Sequence, residues 1–236
     1  MIIGHPLISD LISITQTFKT DPILLTAVCR LTLKVCEQEE VCNDNIKIRQ
    51  IIKRIASCNQ LIPYLGLSKY EELLKMTARY NKRKIREKDV FVQLQFQDNQ
   101  IIHDLFISII KLINFFCLQY EKRKMDKDPD DFSHKENQSV YEAYEVCCQS
   151  MNENEREDAM FNCLEVPSDD VRLEVVKCLY NVPLAEYDND EILKLINVIS
   201  TQNIGAGKTE IVLSQIYWIL TKMIIDKELD VGKDFR

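Results

Sequence analysis

The sequence predicts an all-α fold, and three observations carry that expectation. Apolar residues recur three and four positions apart along most of the chain, the spacing of one helix face. Only 5 glycines and 6 prolines are present in 236 residues, which disfavours folds with many tight turns and suits helices joined by short polar connections. No series of alternating segments with regular turn signals appears, so no sheet is expected. A hydrophobic content of 46% with 28% charged residues belongs to a folded chain rather than a disordered one.

The elements follow in order. Residues 6–18 place Leu7, Leu11, Ile14 and Phe18 on one face, with Pro6 tolerated at the start because its missing N–H has no helical partner there. This helix begins almost at residue 1 with no polar capping helix before it, so either the chain starts there or it is one piece of a longer array. Asp21 then reads as an N-cap with Pro22 at the first helical position, and Ile23, Leu24, Ala27, Val28, Leu31 and Val35 are expected on one side. A polar break over residues 37–45 leads to a helix over 45–62, with Ile48, Ile51, Ile52, Ile55 and Cys58 inward. Pro63 and Gly66 punctuate it. Ser68 is expected to cap a helix reaching about Tyr80, with Glu71 completing a capping box.

Residues 79–88 are strongly basic. Residues 90–96 alternate, but a lone strand has nothing to pair with, so they read as extended or irregular chain or as the first turns of a helix. The longest apolar helix is expected over 99–123, from Ile101 to Tyr120. It approaches the length of a membrane span, yet Asp104 and Lys111 interrupt it and its polar residues cluster on one side, so a buried helix is the better reading. Residues 122–136 are charged, contain Pro129 and read as a linker. A helix over 137–151 carries Val140, Tyr144, Cys147 and Cys148. A short one from about Glu155 carries Ala159, Met160, Cys163 and Leu164.

Three helices close the pattern. Ser168 caps the first, Asp169 and Asp170 sit where the helix dipole favours negative charge, and Val171, Val175, Cys178, Leu179 and Val182 share a face before Pro183. The second starts near Asp190, with Ile192, Leu195, Ile196 and Ile199 aligned. The third starts near Thr209 and is apolar over most of its circumference, from Val212 through Trp218 to Ile224, so it should be covered on several sides. The last ten residues are polar and expected to fray.

The run Ser168-Asp169-Asp170-Val171-Arg172-Leu173-Glu174-Val175-Val176-Lys177-Cys178-Leu179 takes an acidic turn into a Val-Arg step, then into apolar positions ending in Leu. Together with the helix after Asp190, it resembles the armadillo/HEAT class of helical repeats, and the stretch from Asp21-Pro22 to Leu33 is a weaker echo. The resemblance covers about 60 residues near the C-terminus and extends more loosely to residues 6–62. It implies a right-handed superhelix of packed helix pairs and triplets, irregular because the candidate repeats are unevenly spaced. It also implies a non-enzymatic binding or scaffolding role, since stacked helical pairs leave an extended groove.

Charge divides the chain into an N-terminal helical part, 1–124, with 19 Lys and Arg against 13 Asp and Glu, and a C-terminal helical part, 137–236. With the linker at 125–136 included, the second half carries 11 against 24. The acidic half is a poor nucleic-acid surface. Lys82, Arg83, Lys84, Arg86 and Lys88 are the candidate partner-binding residues. They read as a solvated connection, as a patch for an acidic protein surface such as tubulin, or as an import signal or RNA contact, although no aromatic interleaving supports base stacking. Tyr141, Tyr144, Tyr180, Tyr187, Tyr217 and Trp218 are candidate interface anchors or core residues.

No catalytic, cofactor-binding or metal-ligating set is expected. Gly205-Ala206-Gly207-Lys208-Thr209 looks like the end of a phosphate loop, but Gln202 stands where such a loop needs glycine, and an amphipathic helix precedes it instead of a strand. The glycines more simply end one helix before the next. His5, His103 and His134 lie apart, and the pair His103-Asp104 reads as a solvated polar strip. Nine cysteines occur with no Cys-x-x-Cys pair and no metal spacing, which points to a reducing intracellular, cytoplasmic setting. The expected function is a protein–protein interaction scaffold in a larger intracellular assembly. The alternatives are a cytoskeletal or ciliary, microtubule-associated component, or a regulatory or helical catalytic domain of an enzyme.

Overall fold

Helix α1 spans Pro22–Glu37 and starts as its sequence dictates. Asp21 has extended backbone, and its carboxylate accepts from the amides of Ile23 at 3.0 Å and Leu24 at 3.1 Å, two donors the helix itself leaves unpaired. In the computed structural model, the described residues are 21–38, 61–82, 88–125, most of 141–149, 156–181, 189–201 and 208–231. Every regular element among them is helical. After α1 come α2, Leu67–Lys82; α3, Lys88–Met125; α4, Arg156–Cys163; α5, Asp169–Asn181; α6, Asn189–Thr201; and α7, Lys208–Val231. Residues 141–149 are helical where described, and 61–64 form a short 3₁₀ turn. The helix expected over 6–18 lies outside the described residues, as do the one over 45–62 apart from Leu61 and Ile62 and the linker at 125–136 apart from Met125.

The basic stretch leads directly into α3, a single 38-residue helix. The alternating residues 90–96 are therefore helical turns, not extended chain. Alternation of apolar residues over seven positions fits a helix when the segment continues an already apolar one.

Helix α3 is the central element: α1, α2 and α5 all pack on it. Ile102, Leu105, Phe106, Ile109 and Ile110 are fully buried there. The stretch Asn99–Lys122 is long and apolar enough to cross a membrane, and in this fold most of its apolar residues are buried, with Ile107, Phe115 and Leu118 only partly so. Helix α5 carries the packing onward to α7 and α4, and α6 contacts both α4 and α7. One hydrophobic core joins these elements, from Leu25 on α1 to Ile219 on α7.

Two caps decide where helices begin. Ser168 caps α5 as its sequence predicts, accepting from Val171 N at 3.4 Å while its carbonyl takes Arg172 N at 3.0 Å. Helix α2 differs. It starts at Leu67, and the carbonyl of Gly66 accepts from Tyr70 N at 3.0 Å, so Ser68 lies inside the helix and the capping box with Glu71 is not its start. Gly66 has φ +104°, a conformation that favours glycine, and its amide donates to the Cys163 sulfur of α4 at 3.1 Å. That tie between distant segments fixes the start of the helix.

The buried face of α1 is rotated from the expected one. Leu25, Val28, Cys29, Val35 and Cys36 are buried with Thr26 and Thr32, while Ile23 and Leu31 are exposed. Thr26 is tolerated inside because its hydroxyl donates to the Pro22 carbonyl at 2.6 Å. In α6, Leu195 and Val198 are buried and Ile196 is exposed.

Candidate functional site

Helices α1 and α3 lie side by side, and a trough of about 520 Å³ opens between them. One wall is the α1 stripe of Arg30, Leu33, Lys34 and Glu37, positions that fall on a single helix face. The other wall is α3, with Ile107, Lys111, Asn114 and Leu118 at the same kind of spacing, and Ser108 and Phe115 beside them. The trough thus alternates apolar contact area with cationic heads.

Its upper end is locked. Arg30 Nη2 lies 3.0 Å from Asp104 Oδ2, and Arg30 Nε donates to Ser108 Oγ at 3.3 Å. Ser108 in turn donates to the Asp104 carbonyl at 2.6 Å, and Gln100 donates to Asp104 at 2.9 Å. Arg30 is therefore committed to holding α1 on α3. Lys34 and Lys111 are exposed, and among the described residues neither is paired with a carboxylate.

A second surface lies on α5 and α7. Tyr180 of α5 and Trp218 of α7 meet with ring centroids 4.6 Å apart, and Lys222 Nζ sits 5.2 Å from the Trp218 centroid. Both rings remain nearly half exposed, at 44% and 47%, and Tyr217 beside them is 56% exposed. Helix α7 was expected to be covered on several sides. Among its described side chains, Val212, Ile216 and Ile219 are buried, and Ile211, Tyr217 and Trp218 face outward.

The remaining chemistry-bearing residues are built into the fold. His103 is not part of a solvated strip: it stacks on Tyr70 at 5.5 Å between centroids, and its Nε2 lies 3.0 Å from the Tyr70 hydroxyl. Burial lowers its pKa, against the raising influence of Asp170 and Asp104. Asp104 turns to Arg30 instead, so the two neighbours serve different helices. Cys117, Cys148 and Arg156 form a buried cluster, with Arg156 Nη1 donating to Cys117 Sγ at 3.0 Å. The Cys117 thiol is held down to about 7, chiefly by the hydrogen bond from Cys148, against desolvation and with help from the Arg156 charge. Burial pushes the Cys29 and Cys163 thiols up to about 12.

Of the residues expected to bind a partner, Lys82 ends α2 and Lys88 begins α3. Their side chains, and Arg83, Lys84 and Arg86 between them, lie outside the described residues. So do His5, His134, Cys147, Tyr187, Gly205 and Gly207, while Lys208 and Thr209 open α7. Tyr141 and Tyr144 are core residues; Tyr180, Tyr217 and Trp218 are the exposed aromatics. The sequence reading missed the trough. Its only sign was Lys111 interrupting an apolar helix, and the second wall lies about 80 residues away in the chain. Among the described residues, no group of three His, Cys, Asp or Glu side chains is placed to hold a metal ion. Comparison with known proteins finds no matching family model, curated protein or solved structure.

Proposed function

We propose that this chain is a non-enzymatic protein–protein interaction scaffold, built as an irregular armadillo/HEAT-like superhelix and working inside a larger intracellular assembly. One observation carries the reading: α7 presents Ile211, Tyr217 and Trp218 to solvent although its sequence is apolar nearly all round. Exposed aromatic rings held rigid by a neighbour are the residues that dominate protein interfaces. Trp218 is held in this way by Tyr180 and Lys222. Burying such rings against a partner removes apolar area from water at little further cost in side-chain entropy, because the rings are already ordered.

The packing supports the superhelical part of the reading. Helix α4 contacts α5 and α6, α7 contacts the same two, and α5 continues the packing onto α3. The reducing compartment suits the buried thiols, which stay protonated where burial raises their pKa, as at Cys29 and Cys163. The run Lys82, Arg83, Lys84, Arg86 and Lys88 adds a basic contact for an acidic protein surface, tubulin being one such surface.

The test is crosslinking and capture from native cell extract with three proteins: wild type, a Tyr217→Ser/Trp218→Ser variant, and a variant with Lys82, Arg83, Lys84 and Arg86 changed to Glu. The expected result is a stable partner captured by wild type and lost on removing the two aromatic rings. Loss on charge reversal alone moves the interface to the basic segment. A folded, monomeric protein that captures nothing sinks the scaffold reading.

A further inference from the structure

We infer that the α1–α3 trough is a docking site for an acidic amphipathic helix of a partner protein, an inference that rests on the scaffold reading and gives it a second contact. The α3 wall runs from Ile107 to Leu118, twelve residues, which spans roughly 16 Å at the helical rise. That length matches about three turns of a bound helix. The trough opens to solvent along its side, whereas a small-molecule site encloses most of its ligand. A helix laid in an open channel between two parallel ridges is an established packing mode and an established way of recognising peptides.

Chemistry then selects the occupant. Leu33, Ile107, Phe115 and Leu118 offer an apolar seat. Lys34 stands on one wall and Lys111 on the other, so the seat is flanked by cations on both sides. Neither is paired with a carboxylate among the described residues, and Arg30 is already engaged by Asp104. Glu37 stands at the end of the α1 wall, where it opposes an acidic residue and favours a basic or neutral one. The complementary helix therefore carries an apolar stripe with a carboxylate on each side of it. Its acidic residues sit in the middle, and the end facing Glu37 lacks them. Such flanking charges chiefly set register and partner choice, while the apolar stripe supplies the affinity.

The test is selection of a displayed random 16-residue peptide library on the full chain. No counter-selection is applied, and a Lys34→Glu/Lys111→Glu variant, whose fold is checked by circular dichroism, is kept for the affinity comparison. Affinities of the enriched peptides are then measured by fluorescence anisotropy. The expected result is a family of peptides with two carboxylates flanking apolar residues at helical spacing, bound about tenfold or more weakly by the variant. Peptides that bind the variant equally, but fail on the Tyr217→Ser/Trp218→Ser protein, overturn the trough proposal and leave the scaffold reading standing. Failure to enrich any peptide overturns the trough proposal, while the scaffold reading stands or falls on capture of a partner from extract. Sedimentation covers the remaining occupant: a wild-type dimer that becomes monomeric in the Lys34→Glu/Lys111→Glu protein assigns the trough to a second copy of this chain, and the partner-helix proposal falls.

Discussion

At the level of single residues, the buried Cys117–Arg156 pair is where solution conditions act most directly on this fold. A guanidinium that is 4% exposed must be compensated by nearby acceptors or negative charge, and the Cys117 sulfur at 3.0 Å supplies part of this. The Cys117 pKa lies at about 7 against an ordinary value of 9.0. The folded state therefore prefers the thiolate more than the unfolded chain does. This contribution is fully present above pH 9.0 and is lost as pH falls through about 7. It amounts to about 3 kcal/mol. Stability should rise between pH 6.5 and 8.5 in wild type, below the range where the raised Cys29 and Cys163 thiols oppose it, and Cys117→Ala should flatten that rise, read as urea midpoints at the two pH values. An equal rise in the variant would show that Cys117 is not the titrating group. Nothing in the sequence marks this cluster: Arg156 sits between two glutamates, and its three members meet only when α3, α4 and the 141–149 segment pack together.

At the level of elements, periodicity located the helices well and their faces less well. Helices α5, α6 and α7 begin within one residue of where the sequence places them, because Ser168, the Asn189-Asp190 pair and the 205–207 glycines bracket clear apolar repeats. The buried side of α1 was misread because that helix has two overlapping apolar faces. Packing on α3 chose the one containing Thr26, Thr32, Cys29 and Cys36, which looks the less apolar of the two. Caps show the same limit. Ser68 and Ser168 both precede helical repeats by the spacing of a cap, yet only Ser168 serves as one, since Gly66 and its bond to Cys163 start α2 earlier. Ser168→Ala should therefore cost about 1 kcal/mol, the usual loss of a cap. Ser68→Ala should stay within about 0.5 kcal/mol of wild type, as for an exposed helical position. Chemical denaturation of the two variants checks this, and equal losses would return the cap of α2 to Ser68.

At the level of the whole molecule, a chain whose charge is split into a basic and an acidic half is nonetheless joined through one core, because α3 packs on α5. The charge split was legible from composition. The joining was not, since charged exteriors say nothing about which apolar faces meet. It has a mechanical consequence. Phe106 lies at the middle of α3 with no exposed surface, touching the Tyr70 ring edge-on at 5.9 Å. Its truncation to Ala should cost about 3–5 kcal/mol. If the two halves unfold as one cooperative unit, that cost appears everywhere at once. Trp218 makes this measurable: it is the only tryptophan, it sits on α7 in the acidic half, and it is remote in sequence from α3. In Phe106→Ala, the Trp218 fluorescence midpoint in urea should shift by the same amount as the far-ultraviolet dichroism midpoint. A Trp218 transition that stays at its wild-type position while helicity falls earlier would divide the molecule into two independently folding parts, and the α3–α5 contact would then be a surface between them rather than their shared core.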